Sequence, residues 1–350
     1  MVSVEQINPL ADPRWQEFLS QHPDASVFHT PEWLRCLQRT YGYEPVVFTC
    51  SRPGETLRDG MVFCAVKSWF ARPRLVSLPF SDHADPLVSD YQNVGEVLAA
   101  VAGRAADGNW SSIELRPREH LNSAIEPAEF TDGQRFVLHT LDLQPSPDQL
   151  FRALNKDCTR RKILKAEKQG LRYDEGRSER HLEDFFQLCV MTRRRKGLPP
   201  PPLNWFRNLV QCLGEKLKIR IARTPNGELA GTIVTLHFKQ TVVFKYGASD
   251  SRFHNLGTMP FLLWRAIEDA KSAGATAFDF GRSEIENPGL LRFKDHFAAK
   301  RSWLVYKVFP SSAWEPGAAG WQMKFAKKIF AQLPDSALIL AGRLIYPHIG

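Results

Sequence analysis

The sequence has no C-x-x-C pair, no long apolar run and no basic start followed by an apolar stretch. Each absence excludes something. The six cysteines, Cys36, Cys50, Cys64, Cys158, Cys189 and Cys212, are scattered, and the ten histidines show no ligand spacing with them. No metal site is assigned, and the thiols read as reduced and mostly buried. No stretch approaches the roughly eighteen apolar residues of a membrane span. The opening MVSVEQINPLADPRW lacks the pattern of a secretory leader. The expected location is therefore cytoplasmic, with a peripheral place on the cytoplasmic membrane face as the alternative. A residue-level repeat is missing too.

What is present suits two folded domains. The chain has 350 residues, of which 43% are hydrophobic and 11% aromatic. The net charge of +8 favours anionic partners: CoA, nucleotide sugars, tRNA or an anionic membrane. The charge is uneven. From Lys156 to Arg172 seven basic residues face two acids, and Arg193, Arg194, Arg195 and Lys196 form a second cluster. Such runs are either solvated faces or phosphate contacts.

The first half reads as helix, hairpin, strand, helix and two strands. HTPEWLRCLQRTYG is a helix with Thr30 as cap, Pro31 in its first turn and Gly42 after its end. PVVFTCSR and GMVFCAVKSWF are strands, and RLVSLPF is a third. Tyr91 to Asp107 reads as a helix. QPSPD, residues 144–148, is the expected boundary, which gives domains of 1–145 and 146–310 and a tail of 311–350. The second half opens with one long basic helix from Gln149 to Gly170. A second helix ends at Gly197 and LPPPP acts as a stiff connector. A helix follows, then a strand meander with Asn226-Gly227 as a hairpin turn.

Candidate site residues concentrate between Thr241 and Phe309. TVVFKY is a strand that Gly247 is expected to end, a place where backbone and ligand approach. The next loop holds Asn255, Gly257 and Thr258 at a helix start, either an ordinary turn or an anion site. In TAFDFGRS, Asp279 alternates away from Phe278 and Phe280, and Gly281, Arg282 and Ser283 are expected to turn the chain. Asn287 and Pro288 begin a helix whose apolar stripe contains Lys294. That lysine either snorkels to water or aims its charge into a cleft to hold a phosphate or an oxyanion. Lys294 and Asp279 are expected to face one accessible crevice. A second candidate is the SDHADPL loop, where Asp82 and Asp85 flank His83. It is either a general base with orienting carboxylates or a turn that satisfies its own backbone.

DFGRSEIENPGLLRFKDHF resembles the signature of the FemAB-related acyltransferases. The resemblance extends to FHTPEWLRCLQRTYGYEP, LVSLPFSDHADPLV and RRKILKAEKQGL, and covers roughly residues 15 to 310. It implies an α/β (α+β) fold of two tandem GNAT-like domains, each a mixed twisted sheet flanked by helices. It implies transfer of an acyl group, acetyl by expectation, from acyl-CoA to an amine of a sugar or cell-envelope precursor. The alternatives are a tRNA-dependent aminoacyltransferase, with aminoacyl-tRNA as co-substrate, and a non-catalytic scaffold. No permanently bound cofactor is implied. Lys294 would be the lysine of the FK element, and Lys294, Asp279 and His83 would be catalytic. Gly247, Asn255, Gly257, Thr258 and Arg282 would meet the donor. Asp82, Asp85, Arg160 and Arg161 would meet the acceptor. Two positions depart from the peptidoglycan-bridge pattern: Ala298 stands where glycine is usual, and Arg35 is the only basic residue just after Trp33.

The tail contains a basic amphipathic helix. Trp321, Phe325, Ile329 and Leu333 fall on one side and Lys324, Lys327 and Lys328 on another, with DSALILAGRLIY beyond. It either docks on the body or lies on an anionic membrane through residues 321–350.

Overall fold

A computed structural model describes residues 4–68, 72–88, 92–104, 110–121, 125, 130–313 and 320–350. The chain divides into two compact units. The first comprises residues 1–136, 303–318 and 345–350; the second comprises 137–302 and 319–344.

In the first unit β1 (Glu5–Ile7), α1 (Pro13–Gln21) and α2 (Pro31–Tyr41) precede β2 (Glu44–Thr49), β3 (Asp59–Val66), β4 (Arg74–Val76) and β5 (Leu87–Val88). Then come α3 (Gln92–Arg104) and β6 (Ser112–Leu115). The expected helix over 91–107 is thus seen from 92 to 104; Tyr91 and residues 105–107 lie outside the described residues. Thr30 caps α2 and Gly42 ends it in the left-handed region, as the sequence indicates. β1 through β4 pair antiparallel, and β4 pairs parallel with β6 after the crossover through α3. The core beneath α3 packs Val94, Val97, Leu98 and Val101 on Phe48, Phe63, Leu75 and Ile113.

β7 (Thr131–Asp142) leads into the second unit, followed by α4 (Pro147–Ala153), α5 (Arg161–Lys168), β8 (Arg172–Gly176), α6 (Glu179–Arg195) and α7 (Leu203–Leu213). Next are β9 (Leu217–Arg223), β10 (Leu229–Phe238), β11 (Thr241–Ser249), α8 (Thr258–Ser272), β12 (Ala277–Glu284) and α9 (Pro288–Asp295). β13 (Lys300–Phe309) returns to the first unit and pairs antiparallel with β6 through Lys307, Val308 and Phe309. α10 (Gly320–Gln332) and α11 (Asp335–Ile345) close the chain.

The second unit repeats the plan of the first: an antiparallel run, a helix, then a parallel strand. Its sheet order is β7-β12-β11-β10-β9-β8. β8 to β11 are antiparallel neighbours and β12 lies parallel to β11 after α8. Each unit is a mixed sheet flanked by helices, the fold class that the sequence implies. α8 is the central helix of the second core, with Phe261, Leu262, Leu263, Ala266 and Ile267 packed on Ile233, Val242 and Phe278. Burying such side chains contributes about 1.5–3 kcal/mol each.

Three local expectations change. The single helix over 149–170 is broken. Leu154 and Asn155 leave helical geometry, and the Asn155 side chain accepts the N–H groups of Asp157 and Cys158, which starts a new turn at Lys156. β11 does not end at Gly247: it runs to Ser249, and the irregularity is a bulge, where the register steps from Val234–Tyr246 to Thr235–Phe244. Nor does the chain turn at Gly281 to Ser283, since β12 continues to Glu284. What changes at Gly281 is the backbone itself.

Candidate active site

Two of the second unit's candidate residues, Asp279 and Lys294, converge on one backbone position. Gly281 sits inside β12 with φ +71°, a conformation that glycine adopts at little cost. Asp279 Oδ1 accepts the Gly281 N–H at 2.6 Å. Lys294 Nζ, from α9, donates to the Gly281 carbonyl at 2.7 Å and to the Arg282 carbonyl at 3.2 Å. One residue thus has its N–H held by an acid and its C=O held by a cation. Both side chains are deep, Asp279 4% and Lys294 3% exposed.

The accessible crevice expected for this pair is therefore corrected. Lys294 neither snorkels nor points its charge into open solvent. Backbone carbonyls satisfy its buried ammonium, which makes burial tolerable. What the pair controls is the path of β12. The parallel register covers Thr241–Val243 against Ala277–Asp279 and stops there. The kink follows two residues later. Beyond the register β11 runs on to Ser249 and β12 to Glu284. Parted parallel strands leave backbone N–H and C=O groups for an extended, amide-bearing ligand, at the strand ends where open α/β sheets bind ligands.

α9 is set as its sequence suggests. Asn287 accepts the N–H of Leu290, and Pro288 occupies the first turn. Ala298, just past this helix, has φ +59°. The left-handed backbone explains why glycine would suit that position.

The donor-side residues meet the basic segment. Gly257, the N-cap of α8, has φ +77°, and a Cβ there would lie 2.4 Å from the Lys162 carbonyl of α5. This glycine permits a close approach of α5. Lys165 Nζ donates to the Asn255 carbonyl at 2.9 Å. Thr258 is buried and its hydroxyl donates to the Phe253 carbonyl. α8 has a glycine N-cap and hence no side-chain cap bond, and because Pro260 carries no N–H, its first turn presents the N–H groups of Thr258 and Met259. Arg161 is exposed, with its guanidinium 3.8 Å from Asp157, and Arg160 is half-buried. Residues assigned separately to donor and acceptor thus gather at one helix start. Gly247 is different: a Cβ there would press on Phe244 and Met259, a packing role.

His139 on β7 was not singled out by sequence. It is fully buried, its Nε2 is 3.2 Å from Asp295 Oδ1, and Asp295 also accepts from Arg301. Burial first, then the Lys294 charge, lowers its pKa. A polar residue within the apolar run FVLHTLDL was the available signal.

In the first unit, Asp82, His83 and Asp85 are all buried. His83 packs edge-on to Phe28, with ring centroids 5.6 Å apart. The Asp82 carbonyl accepts the Tyr306 hydroxyl at 2.8 Å. Asp85 is a structural hub. Its carboxylate accepts the Arg118 backbone N–H at 2.7 Å and the Arg118 guanidinium, which reaches on to Asp24 at 2.8 Å. Burial raises the Asp85 pKa, but Arg118 and the His83 side of the loop more than offset it, and the net direction is down. A direct contact of Asp85 with an acceptor is not what this geometry supplies.

Below this loop lies His29. The Ser26 N–H donates to its Nδ1 at 3.1 Å, so Nε2 carries the proton and donates to the Asp85 carbonyl at 3.0 Å. Burial lowers its pKa to about 4. An unfolded histidine binds its proton near pH 6.5. The contribution to stability is therefore complete above about pH 6.5 and is lost as pH falls towards about 4. Urea unfolding across that window is expected to show stability falling on acidification, with a flatter dependence in His29→Gln. An unchanged slope in that variant would place the titrating group elsewhere.

Residues 156–295 match the family model described as "Acetyltransferase (GNAT) domain". Over 246 residues the chain is 24% identical to the UDP-N-acetylmuramoylpentapeptide-lysine N(6)-alanyltransferase of Weissella viridescens; the match covers 69% of this chain and 66% of that protein, just under two thirds of its length. The fold is similar to a crystal structure of FemX, at TM-score 0.68 and 15% identity, covering 86% of this chain and 96% of that one. It is also similar to a tandem GNAT protein from the clavulanic acid biosynthesis pathway, at TM-score 0.54 and 12% identity, covering 87% and 98%. The FemAB-related resemblance in the motifs fits these findings: a GNAT domain match over residues 156–295, in a chain whose fold is similar to that of FemX.

Proposed function

We propose that this FemAB-related acyltransferase moves an aminoacyl group from aminoacyl-tRNA to an amine of a peptidoglycan-type envelope precursor. The observation that carries this reading is the seating of basic α5 against the start of α8, beside the parted ends of β11 and β12. A phosphate-rich donor would meet Arg160, Arg161 and the N–H groups of α8. Its acyl end would run along the strand edges, near Arg282. The alanyltransferase relative supports both the aminoacyl donor and a muropeptide acceptor.

In the reaction the acceptor amine attacks the ester carbonyl. The C–N bond forms, the C–O bond to the ribose breaks, and the ammonium proton passes to the departing oxygen. Positioning supplies much of the acceleration. Lys294 and Asp279 act by shaping Gly281 and Arg282.

The second reading is acyl transfer from acyl-CoA to an amino sugar of an envelope polysaccharide, favoured by the acetyltransferase description of the matched domain. Both donors are phosphate-bearing, and the same helix start would hold either. The pure protein is to be given radiolabelled alanyl-tRNA or acetyl-CoA, each with a UDP-linked muropeptide or an amino sugar. Amide product from alanyl-tRNA with the muropeptide is expected, with tRNA affinity falling steeply with salt. Product from acetyl-CoA alone would select the second reading, and no product from either would leave a scaffold.

A further inference from the structure

The second unit ends in a helix face that its own core leaves bare. On α11, Leu338 and Gly342 are buried against the body. A Cβ at Gly342 would lie 2.0 Å from the Pro200 carbonyl, so the helix is seated directly on the connector after α6. Leu340 and Leu344 lie about 200° round the helix from that pair. They are 55% and 63% exposed. Arg343 is exposed beside them.

α10 adds to the same character. Its backbone is pinned at Lys327, whose carbonyl would be 2.2 Å from a Cβ on Gly197. Lys327, Lys328 and Ile329 are exposed. The side chains of Trp321, Lys324 and Phe325 lie outside the described residues. Among the described residues seven large apolar side chains are exposed, and four of them, Ile329, Leu340, Leu344 and Ile349, follow residue 328. Residues 320–350 hold four lysines and arginines against one acid, and that acid, Asp335, is paired with Arg194. No helix of the described residues is long and apolar enough to cross a membrane.

We infer that exposed Leu340 and Leu344, together with the exposed cations Lys327, Lys328 and Arg343 of the same C-terminal helices, dock this protein on an anionic lipid surface. Exposed leucines enter the headgroup boundary and the cations meet lipid phosphates. Basic charge favours this occupant over a second copy of the chain, whose matching face would be basic as well. The contact goes beyond the transfer reaction and is tested without it.

The full chain is to be sedimented with vesicles of phosphatidylcholine, alone or with about 30 mol % phosphatidylglycerol. Binding is expected to the anionic vesicles and to weaken with salt. The pair Leu340→Asp and Leu344→Asp is expected to lower binding about tenfold, and Lys327→Glu with Lys328→Glu to lower it similarly. All four positions are exposed, so the thermal midpoint should stay at the wild-type value. Three results would overturn the inference: a wild-type chain that stays in the supernatant, an aspartate variant that binds like wild type, or a wild-type dimer that the aspartates split.

Discussion

Lys294→Met is expected to lower kcat/KM about 100-fold while the chain still folds. The substitution keeps the apolar stem of α9's stripe and removes only the ammonium. The carbonyls of Gly281 and Arg282 then lose a donor in a buried setting. Such losses cost about 1–3 kcal/mol of stability. The larger effect is geometric. Gly281 keeps the Asp279 bond to its N–H but loses the opposing hold on its C=O. The strand segment that carries Arg282 is then no longer fixed for the donor. Circular dichroism checks the fold and steady-state transfer checks the rate. Wild-type kcat/KM in Lys294→Met would remove this residue from the machinery altogether.

Arg118→Ala is expected to lower the stability of the first unit by about 3 kcal/mol. Asp85 is 2% exposed and its carboxylate relies on the Arg118 guanidinium as its ionic partner. Removing the cation leaves a buried anion with a backbone N–H for support. The bond from Arg118 to Asp24 goes as well. Adding Asp85→Asn to the variant removes the stranded charge and should recover part of the loss. Urea unfolding measures both steps. A change within about 0.5 kcal/mol for Arg118→Ala would show that the loop is solvated rather than sealed.

Much of this was legible in the residues. Thr30-Pro31 and Asn287-Pro288 announce helix starts by cap chemistry that depends only on near neighbours. Lys294 was visible as an anomaly within an apolar stripe. Its partner was not, because the partner is backbone, and carbonyls carry no letter in a sequence. For the same reason the turn expected at Gly281 to Ser283 is instead a kink within β12. Gly281 signals a left-handed residue, but a turn and a kinked strand both ask for one. The break at Leu154-Asn155 was hidden by the continuous basic pattern around it. Asn155 caps the new turn with two short-range bonds that propensity alone does not reveal. His139 and Arg118 were missed because each is defined by partners far away in sequence, Asp295 and Asp85. Gly257 was seen as a loop glycine; that it makes room for the Lys162 carbonyl emerges only once α5 and α8 are packed.

Hydrogen–deuterium exchange with a saturating, non-reactive aminoacyl-tRNA analogue tests the central claim most directly. Slowed exchange is expected along Phe244–Ser249, through 252–259 and across 280–283, with the effect at 280–283 lost in Lys294→Met. Protection confined to other segments, with these three unchanged, would contradict the placement of the donor on the parted strands.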